Sequence, residues 1–428
     1  MEVYNITVFG FFTSIIGKQF FPATNPLTSL LFAGGTFAFG FLMRPLGALC
    51  IGAFADRVGR RAALMLTIWL TALGTGSVAF CPGFDTIGIA APIILIIGRS
   101  LEGIAAGGEL GTAASYAVEI RARGHRGWIS GWQLSGQAGA ALLGACLGVF
   151  LTSDYSPVSP EPWGWRIPFV IGLLMTPVAI LVRRRLPEHA MREPAAGKHV
   201  VGSGVDRSAD SGVDKKAVLA ARSTSPLKTL FRHHTKSVVL ISMLMAGRTV
   251  VYYAIVYFMP TYLSQIVHMP PMTGFMASAF AAALLVIVSP FMGRLADRSR
   301  NVKRLNVIAT GIVMLLVYPV FLLAMHQATF PVLLMSIGII CLALALVSPV
   351  GNVVMLNVFP KKVRVSGFAF SYGIGVTIFG GTAQFVLTAL VERTGNPMAP
   401  AWYLTAACCL SFVAAMLLKP LGEEGVTE

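Results

Sequence analysis

A few charged side chains stand inside stretches of this sequence that are otherwise apolar. They are Arg44 in FLMRPLG, Arg99, Glu102 and Glu109 in GRSLEGIAAGGELG, and Arg248 in MAGRTVVYY. Charge is expensive to hold in apolar surroundings, so each is a candidate for function. A carboxyl there can take up and release a proton, and a guanidinium offers a planar fork that fits a carboxylate. On a helix Arg99 and Glu102 stand at i and i+3, and Glu102 and Glu109 at i and i+7, so the three share one face. That face reads either as a proton-accepting stripe on a cavity, or as an internal ion pair with a neighbour that only steadies packing. Arg248 has no acidic residue inside any apolar run of its half of the chain. It must meet a carboxylate from the first half, reach an interface or bind an anion, and its central position argues against reaching out. Arg44 reads as a second anion ligand or as a structural partner of Glu109.

Amides and phenols within apolar runs supply further hydrogen-bonding groups. Gln133, Gln137, Tyr253 and Asn352 are the candidate ligands among them, since an amide in hydrocarbon needs a partner; Tyr4, Trp132, Tyr252, Tyr257, Asn357, Tyr372 and Gln384 also offer hydrogen bonds, although an aromatic there more often packs than binds. The histidines lie outside the middles of these runs, which disfavours a histidine relay. The six cysteines sit within or beside apolar runs without metal-ligand spacing and read as packing residues. The glycines of AAGGELG and SYGIGVTIFGG are preceded by no strand, so they read as helix contacts rather than phosphate loops. Neither a metal, an organic cofactor nor an enzymatic nucleophile is expected.

The elements that carry these residues follow from composition. The chain has 428 residues, 55% hydrophobic and 12% charged, against about 25% charged in soluble domains. A membrane span needs about 20 apolar residues, and the apolar runs predict twelve: 3–21, 27–54, 62–82, 86–118, 128–151, 165–185, 237–263, 274–296, 305–326, 329–359, 365–391 and 400–419. The expected fold is an all-α membrane protein of two pseudo-symmetric six-helix bundles, 1–186 and 237–428, the second ending in a short tail. A polar stretch at 187–236, including GSGVDRSADSGVDKK, reads as the linker between them. Of the 33 Lys and Arg residues, 27 fall in the loops, linker and tail on the side of the N-terminus, and Arg393 alone on the other. By the positive-inside rule both termini are cytoplasmic. The net charge of +15 is then topology with some attraction to anionic lipid, and nucleic-acid binding is excluded.

The halves also repeat a loop: GAFADRVGRR at 52–61 and GRLADRSRNVKR at 293–304, with Asp56 and Asp297 in the same place in each. A repeat of six helices marks a transporter and puts the ligand site between the halves near mid-membrane. The first loop resembles the Gly-xxx-Asp-Arg-x-Gly-Arg-Arg motif of the major facilitator superfamily. GFLMRPLGALCIGAFADRVGRR, GRSLEGIAAGGELG, WGWRIPF, VRVSGFAFSYGIGVTIFGG and TGNPMAPAWY are similar to its metabolite:proton symporters, whose substrates include citrate, tricarballylate, oxoglutarate, shikimate and proline/betaine. SGWQLSGQ in span five resembles the citrate-type carriers, and YYAIVYFMPTYLS in span seven is nearer to the proline/betaine members.

The resemblance implies proton-coupled symport of a small organic anion, such as a di- or tricarboxylate, across the cytoplasmic (inner) membrane by alternating access, without a cofactor and as a monomer. Arg248, Arg99, Arg44, Gln133, Gln137, Tyr253 and Asn352 would bind the anion, and Glu109 with Glu102 would carry the proton. Asp56 would meet a helix end in the other half to close the cytoplasmic side, with Arg57, Gly59, Arg60, Arg61 and Asp297 in the same gate; Glu119, Arg123 and Arg126 could join it. The alternatives are uptake of a zwitterionic osmolyte, an exchanger or efflux carrier, and a non-transporting sensor. Two features depart from the family's pattern. Asn5 stands where an Asp is usual and cannot titrate, whereas Glu102 stands where Gln is common. The first span opens inside its motif, at Glu2, so the natural protein is expected to extend upstream.

Overall fold

The structure, a computed structural model, describes residues 1–119, 125–154, 156, 163–185, 234–326, 329–360 and 364–419, without the side chains of 56, 60, 110–119, 182–185, 326, 365 and 366. Among these residues every regular element is helical, as apolar surroundings require of a chain that must satisfy its own backbone groups. Twelve spans result. In the first half they are α1 (Glu2–Phe11 and Thr13–Phe20), α2 (Pro26–Leu42 and Arg44–Val58), α3 (Arg60–Phe80), α4 (Ala90–Glu119), α5 (Arg126–Thr152) and α6 (Ile167–Arg185). The second half has α7 (Thr235–Tyr252, Tyr253–Phe258 and Met259–Gln265), α8 (Pro271–Arg298), α9 (Val302–His326), α10 (Phe330–Leu356), α11 (Arg364–Gly375, Val376–Gly381 and Ala383–Thr394) and α12 (Ala399–Leu417).

Eleven of these are long and apolar enough to cross a membrane. The exception, α1, is divided at Phe12 (φ −98°, ψ 14°) into segments each too short to span alone. The apolar runs predict four uninterrupted helices where the structure has breaks, in α1, α2, α7 and α11. In α2 the break at Met43 precedes Pro45, which lacks an N–H to continue the ladder. In α7 the widened π turn Tyr253–Phe258 ends two residues before Pro260 and contains Val256, the residue whose carbonyl the proline ring would otherwise press upon.

Among the helix pairs that join the halves are two that the internal repeat makes equivalent, α5 with α8 and α2 with α11; α5 with α10 and α4 with α11 form a second such set. Small residues set the first of these pairs, α5 with α8. A Cβ added to Gly127 of α5 would run into the carbonyl of Gly293 of α8, and one added to Gly293 would run into that of Gly127, a close approach that only glycine permits. One turn further, Gly131 packs in the same way against Ser289. Within the first half, Gly107 of the AAGGELG stretch lies against the Arg44 carbonyl of α2 and Gly108 against Ile51, so both are helix contacts. Large apolar side chains such as Phe32, Leu49, Trp69, Leu174 and Leu315 remain exposed, as on a protein solvated by lipid.

Candidate substrate cavity and gate

A cavity of about 230 Å³ lies between the halves. The first half contributes Glu2 and Ile6 of α1, Arg44 of α2, Ala106 and Glu109 of α4, and Gln133 and Gln137 of α5. Arg248, Tyr252, Tyr253 and Tyr257 of α7, Asn352 of α10 and Tyr372 of α11 face them. Six of the seven proposed ligand residues, Arg44, Arg248, Gln133, Gln137, Tyr253 and Asn352, thus line one space. Gln133 and Gln137 do so because i and i+4 share a helix face.

Arg248 is 8% exposed. One of its terminal nitrogens donates to the Ser348 carbonyl of α10 at 2.9 Å, and the other lies 2.7 Å from the Met245 sulfur. Its guanidinium carbon stands 5.8 Å from the Tyr372 ring centre. Among the described residues no carboxylate forms an ion pair with it. The protein therefore holds a cation at the cavity wall by a backbone carbonyl and a ring, with no counterion among the described residues.

Arg44 takes a different partner from the Glu109 the sequence suggests. It ion-pairs with Glu2 at 3.6 Å and lies 3.8 Å from the Phe41 ring centre. Glu109 is half-buried in the cavity wall and accepts a hydrogen bond from Thr67 at 3.1 Å.

Arg99 and Glu102 do not line this cavity, so the expected stripe of Arg99, Glu102 and Glu109 is divided. The helix turns Arg99 and Glu102 inward against α1, α2 and α3, where they are 2% and 4% exposed. There they form an ion pair with each other, the i to i+3 contact that the spacing predicts. The Arg99 guanidinium sits 4.4 Å from the centre of Phe9. Asn5 donates to Thr75 at 2.5 Å, and Thr75 donates to Glu102 at 2.7 Å. The non-titrating Asn5 is thus one hydroxyl away from the additional carboxylate, in the same polar cluster.

Glu2, Tyr252, Tyr257 and Tyr372 complete the lining. Glu2 stands at the very start of its apolar run, where nothing signals burial. The π turn sets Tyr253 and Tyr257 edge to face with ring centres 4.8 Å apart, and Tyr252 and Tyr257 likewise at 5.4 Å. The i to i+4 approach of Tyr253 and Tyr257 follows from helical spacing, whereas the i to i+5 approach of Tyr252 and Tyr257 comes with the widened turn.

At the end of α8 the two oxygens of Asp297 accept hydrogen bonds from the backbone N–H groups of Gly127 (2.6 Å) and Trp128 (2.8 Å). These are free donors in the first turn of α5, and a carboxylate there also meets the positive end of the helix dipole. Nearby, Arg126 donates to Asn357 at 3.0 Å and Asn352 to Ser130 at 2.7 Å, both across the halves. Arg294 lies 3.7 Å from the ring centre of Trp128. In the repeated loop of the first half, Gly59 has φ 115° and ψ 150°, a conformation that suits glycine. Arg57 and Arg61 are exposed. The side chains of Asp56 and Arg60, and those of Glu119 and Arg123, lie outside the described residues, as does most of the 187–236 stretch. At the opposite end of the cavity Thr28 of α2 donates to Glu392 of α11 at 2.9 Å, and Thr13 of α1 to Gln384 at 3.2 Å. Hydrogen bonds thus join the halves on both sides of the cavity.

The sequence profile of the Major Facilitator Superfamily matches residues 3–376. A citrate-proton symporter of Klebsiella pneumoniae is 30% identical over 98% of this chain and 89% of its own. An alpha-ketoglutarate permease of Escherichia coli K12 is 29% identical over 99% of this chain and 92% of its own. A Staphylococcus haemolyticus protein named as a proline/betaine transporter is 31% identical over 98% and 85%. Among solved structures, a D-xylose-proton symporter superposes with a TM-score of 0.75, 15% identity and coverage of 99% and 95%, a likeness of fold alone. An inward-open xylose transporter from E. coli superposes at 0.71, with 17% identity and coverage of 99% and 94%. The chain is a multi-pass integral membrane protein that belongs to the Major Facilitator Superfamily, a transporter and not an enzyme.

Proposed function

We propose that this transporter is a symporter of protons and a small organic anion of the di- or tricarboxylate class, working by alternating access as a monomer in the cytoplasmic membrane, with both termini inside. The observation that carries the reading is Arg248, a buried guanidinium at the cavity wall with no carboxylate partner among the described residues. An incoming carboxylate supplies the missing counterion. Arg44, released in part from Glu2, supplies a second contact, and Gln133, Gln137, Tyr253 and Asn352 orient the remaining oxygens. Glu109 in the cavity wall, assisted by Glu102, takes the proton. Similarity to the citrate-proton symporter and the alpha-ketoglutarate permease supports the same class. Asp297 on the first turn of α5 serves as a latch: a helix cap is worth about 0.5–2 kcal/mol, weak enough to break once per cycle.

A second reading draws on a specific feature. Tyr252, Tyr253, Tyr257 and Tyr372 line the same cavity as Glu2 and Glu109, and aromatic faces beside carboxylates suit a quaternary ammonium. A zwitterion of the proline/betaine type would place its cation there and its carboxylate on Arg248. Uptake of labelled citrate, oxoglutarate, shikimate and betaine into cells expressing the chain, with and without an uncoupler, separates the readings. Accumulation of a di- or tricarboxylate, abolished by the uncoupler, is expected; accumulation of betaine alone replaces the first reading with the second.

A further inference from the structure

Behind the main cavity lies a second chamber of about 10 Å³, whose lining includes Glu2, Asn5, Arg44, Thr71, Arg99 and Glu102. That is the space of one water molecule, which a polar site with several partners holds firmly. The lining is polar where it matters. Glu2 and Arg44 bring the ion pair of the main cavity to one side, and Arg99 and Glu102 bring the buried ion pair to the other. Arg99 is 2% exposed, yet its Nε has no hydrogen-bond partner among the described residues, a group that ordinarily finds one. Glu2, Ile6, Arg44 and Ala106 line both spaces and form the partition between them.

We infer that this chamber binds a single water and that the water passes protons between Glu2, at the main cavity, and Glu102, which does not reach it. The step balances without a further reactant. The water accepts the proton of the Glu2 carboxylic acid as it gives one of its own to the Glu102 carboxylate. The water is regenerated, Glu2 is left ionised beside Arg44, and Glu102 becomes neutral beside Arg99. The charged and titratable groups around the path are Glu2 on α1, Arg44 on α2, and Arg99 and Glu102 on α4; Thr71 and Thr75 of α3 contribute hydroxyls, and Glu109 faces the main cavity. The relay deepens the proton-coupled reading by giving the deep carboxylate a route to the cavity, and Glu2 becomes a proton-handling residue.

Infrared difference spectroscopy of the purified full chain tests this without any substrate, so its outcome is independent of the uptake experiment. A pH step, in ordinary and in ¹⁸O-enriched water, is expected to show a carboxylic-acid band that moves in Glu102→Asp, together with a water band sensitive to ¹⁸O. Glu2→Gln, close to isosteric, slows hydrogen–deuterium exchange of that carboxyl at least tenfold. Ala106→Val, which narrows the partition, abolishes the water band, whereas Leu315→Ala, on the exposed face of α9, leaves both signals as in the parent. The inference is overturned if no band depends on Glu102, or if exchange in Glu2→Gln runs within threefold of the parent. Should Ala106→Val not fold, Glu2→Gln and Glu102→Asp still decide the matter.

Discussion

Replacing Arg248 with alanine removes the one group on which the anion reading most depends. In the resting cavity the guanidinium is held by the Ser348 carbonyl at 2.9 Å and the Met245 sulfur at 2.7 Å, so its remaining N–H groups are those left for a ligand. A hydrogen bond to a charged partner is worth about 1.5–3 kcal/mol. Losing one such contact therefore weakens carboxylate binding by roughly ten- to over a hundred-fold. Folding is affected less, because the same substitution relieves the protein of a buried charge that has no counterion among the described residues. Arg248→Lys keeps the charge but not the fork, and retains part of the affinity. The assay is equilibrium binding of labelled citrate to purified parent, Arg248→Lys and Arg248→Ala, with circular dichroism confirming that each is folded. An Arg248→Ala protein that binds within about threefold of the parent refutes the assignment and makes Arg248 a structural residue of α7 and α10.

Other substitutions test the remaining parts. Glu109→Gln should abolish accumulation against a gradient while leaving substrate–substrate exchange intact, both measured in proteoliposomes; continued accumulation moves the proton site elsewhere. Glu102→Gln leaves Arg99 as a buried cation without its carboxylate, and unfolding in detergent should become easier by about 3–5 kcal/mol, with Arg99→Leu in the same chain restoring part of the loss. Asp297→Ala removes the acceptor for Gly127 and Trp128; a helix cap is worth about 0.5–2 kcal/mol, so a cysteine at position 133 in a cysteine-free background should be labelled from the cytoplasmic side about two- to thirtyfold faster, and an unchanged rate denies Asp297 a latching role. Gly293→Ala puts a methyl against the Gly127 carbonyl and should lower the melting temperature by the equivalent of about 1–3 kcal/mol while slowing uptake; a variant indistinguishable from the parent would mean that α5 and α8 need not approach so closely.

The large-scale fold is legible because hydrophobicity and the helix repeat report on whole spans. The twelve apolar runs fall on the twelve helical spans within a few residues at most ends. The breaks are less legible: Pro45 and Pro260 announce two of them, but the break at Phe12 and the π turn at Val376–Gly381 carry no residue that forces them. In the site, periodicity brings Gln133 to Gln137 and Arg99 to Glu102, since both pairs lie on one helix. It cannot say which way a helix is turned about its axis, so it does not reveal that α4 points Glu109 into the cavity and Glu102 behind it. Pairings between helices are equally invisible. Arg44 meets Glu2 rather than Glu109, because α1 rather than another turn of α4 presents the nearer carboxylate. Asp297 stands out by repetition of a loop, but its partners are backbone groups of α5, which every residue type supplies.

The central claim is that an organic anion and a proton enter together. Its most direct test is the purified chain in proteoliposomes that enclose a pH-sensitive dye, with citrate added outside at equal starting pH. The account predicts acidification of the lumen that accompanies entry of labelled citrate and vanishes in Glu109→Gln. Entry of citrate with no change in lumenal pH would contradict it.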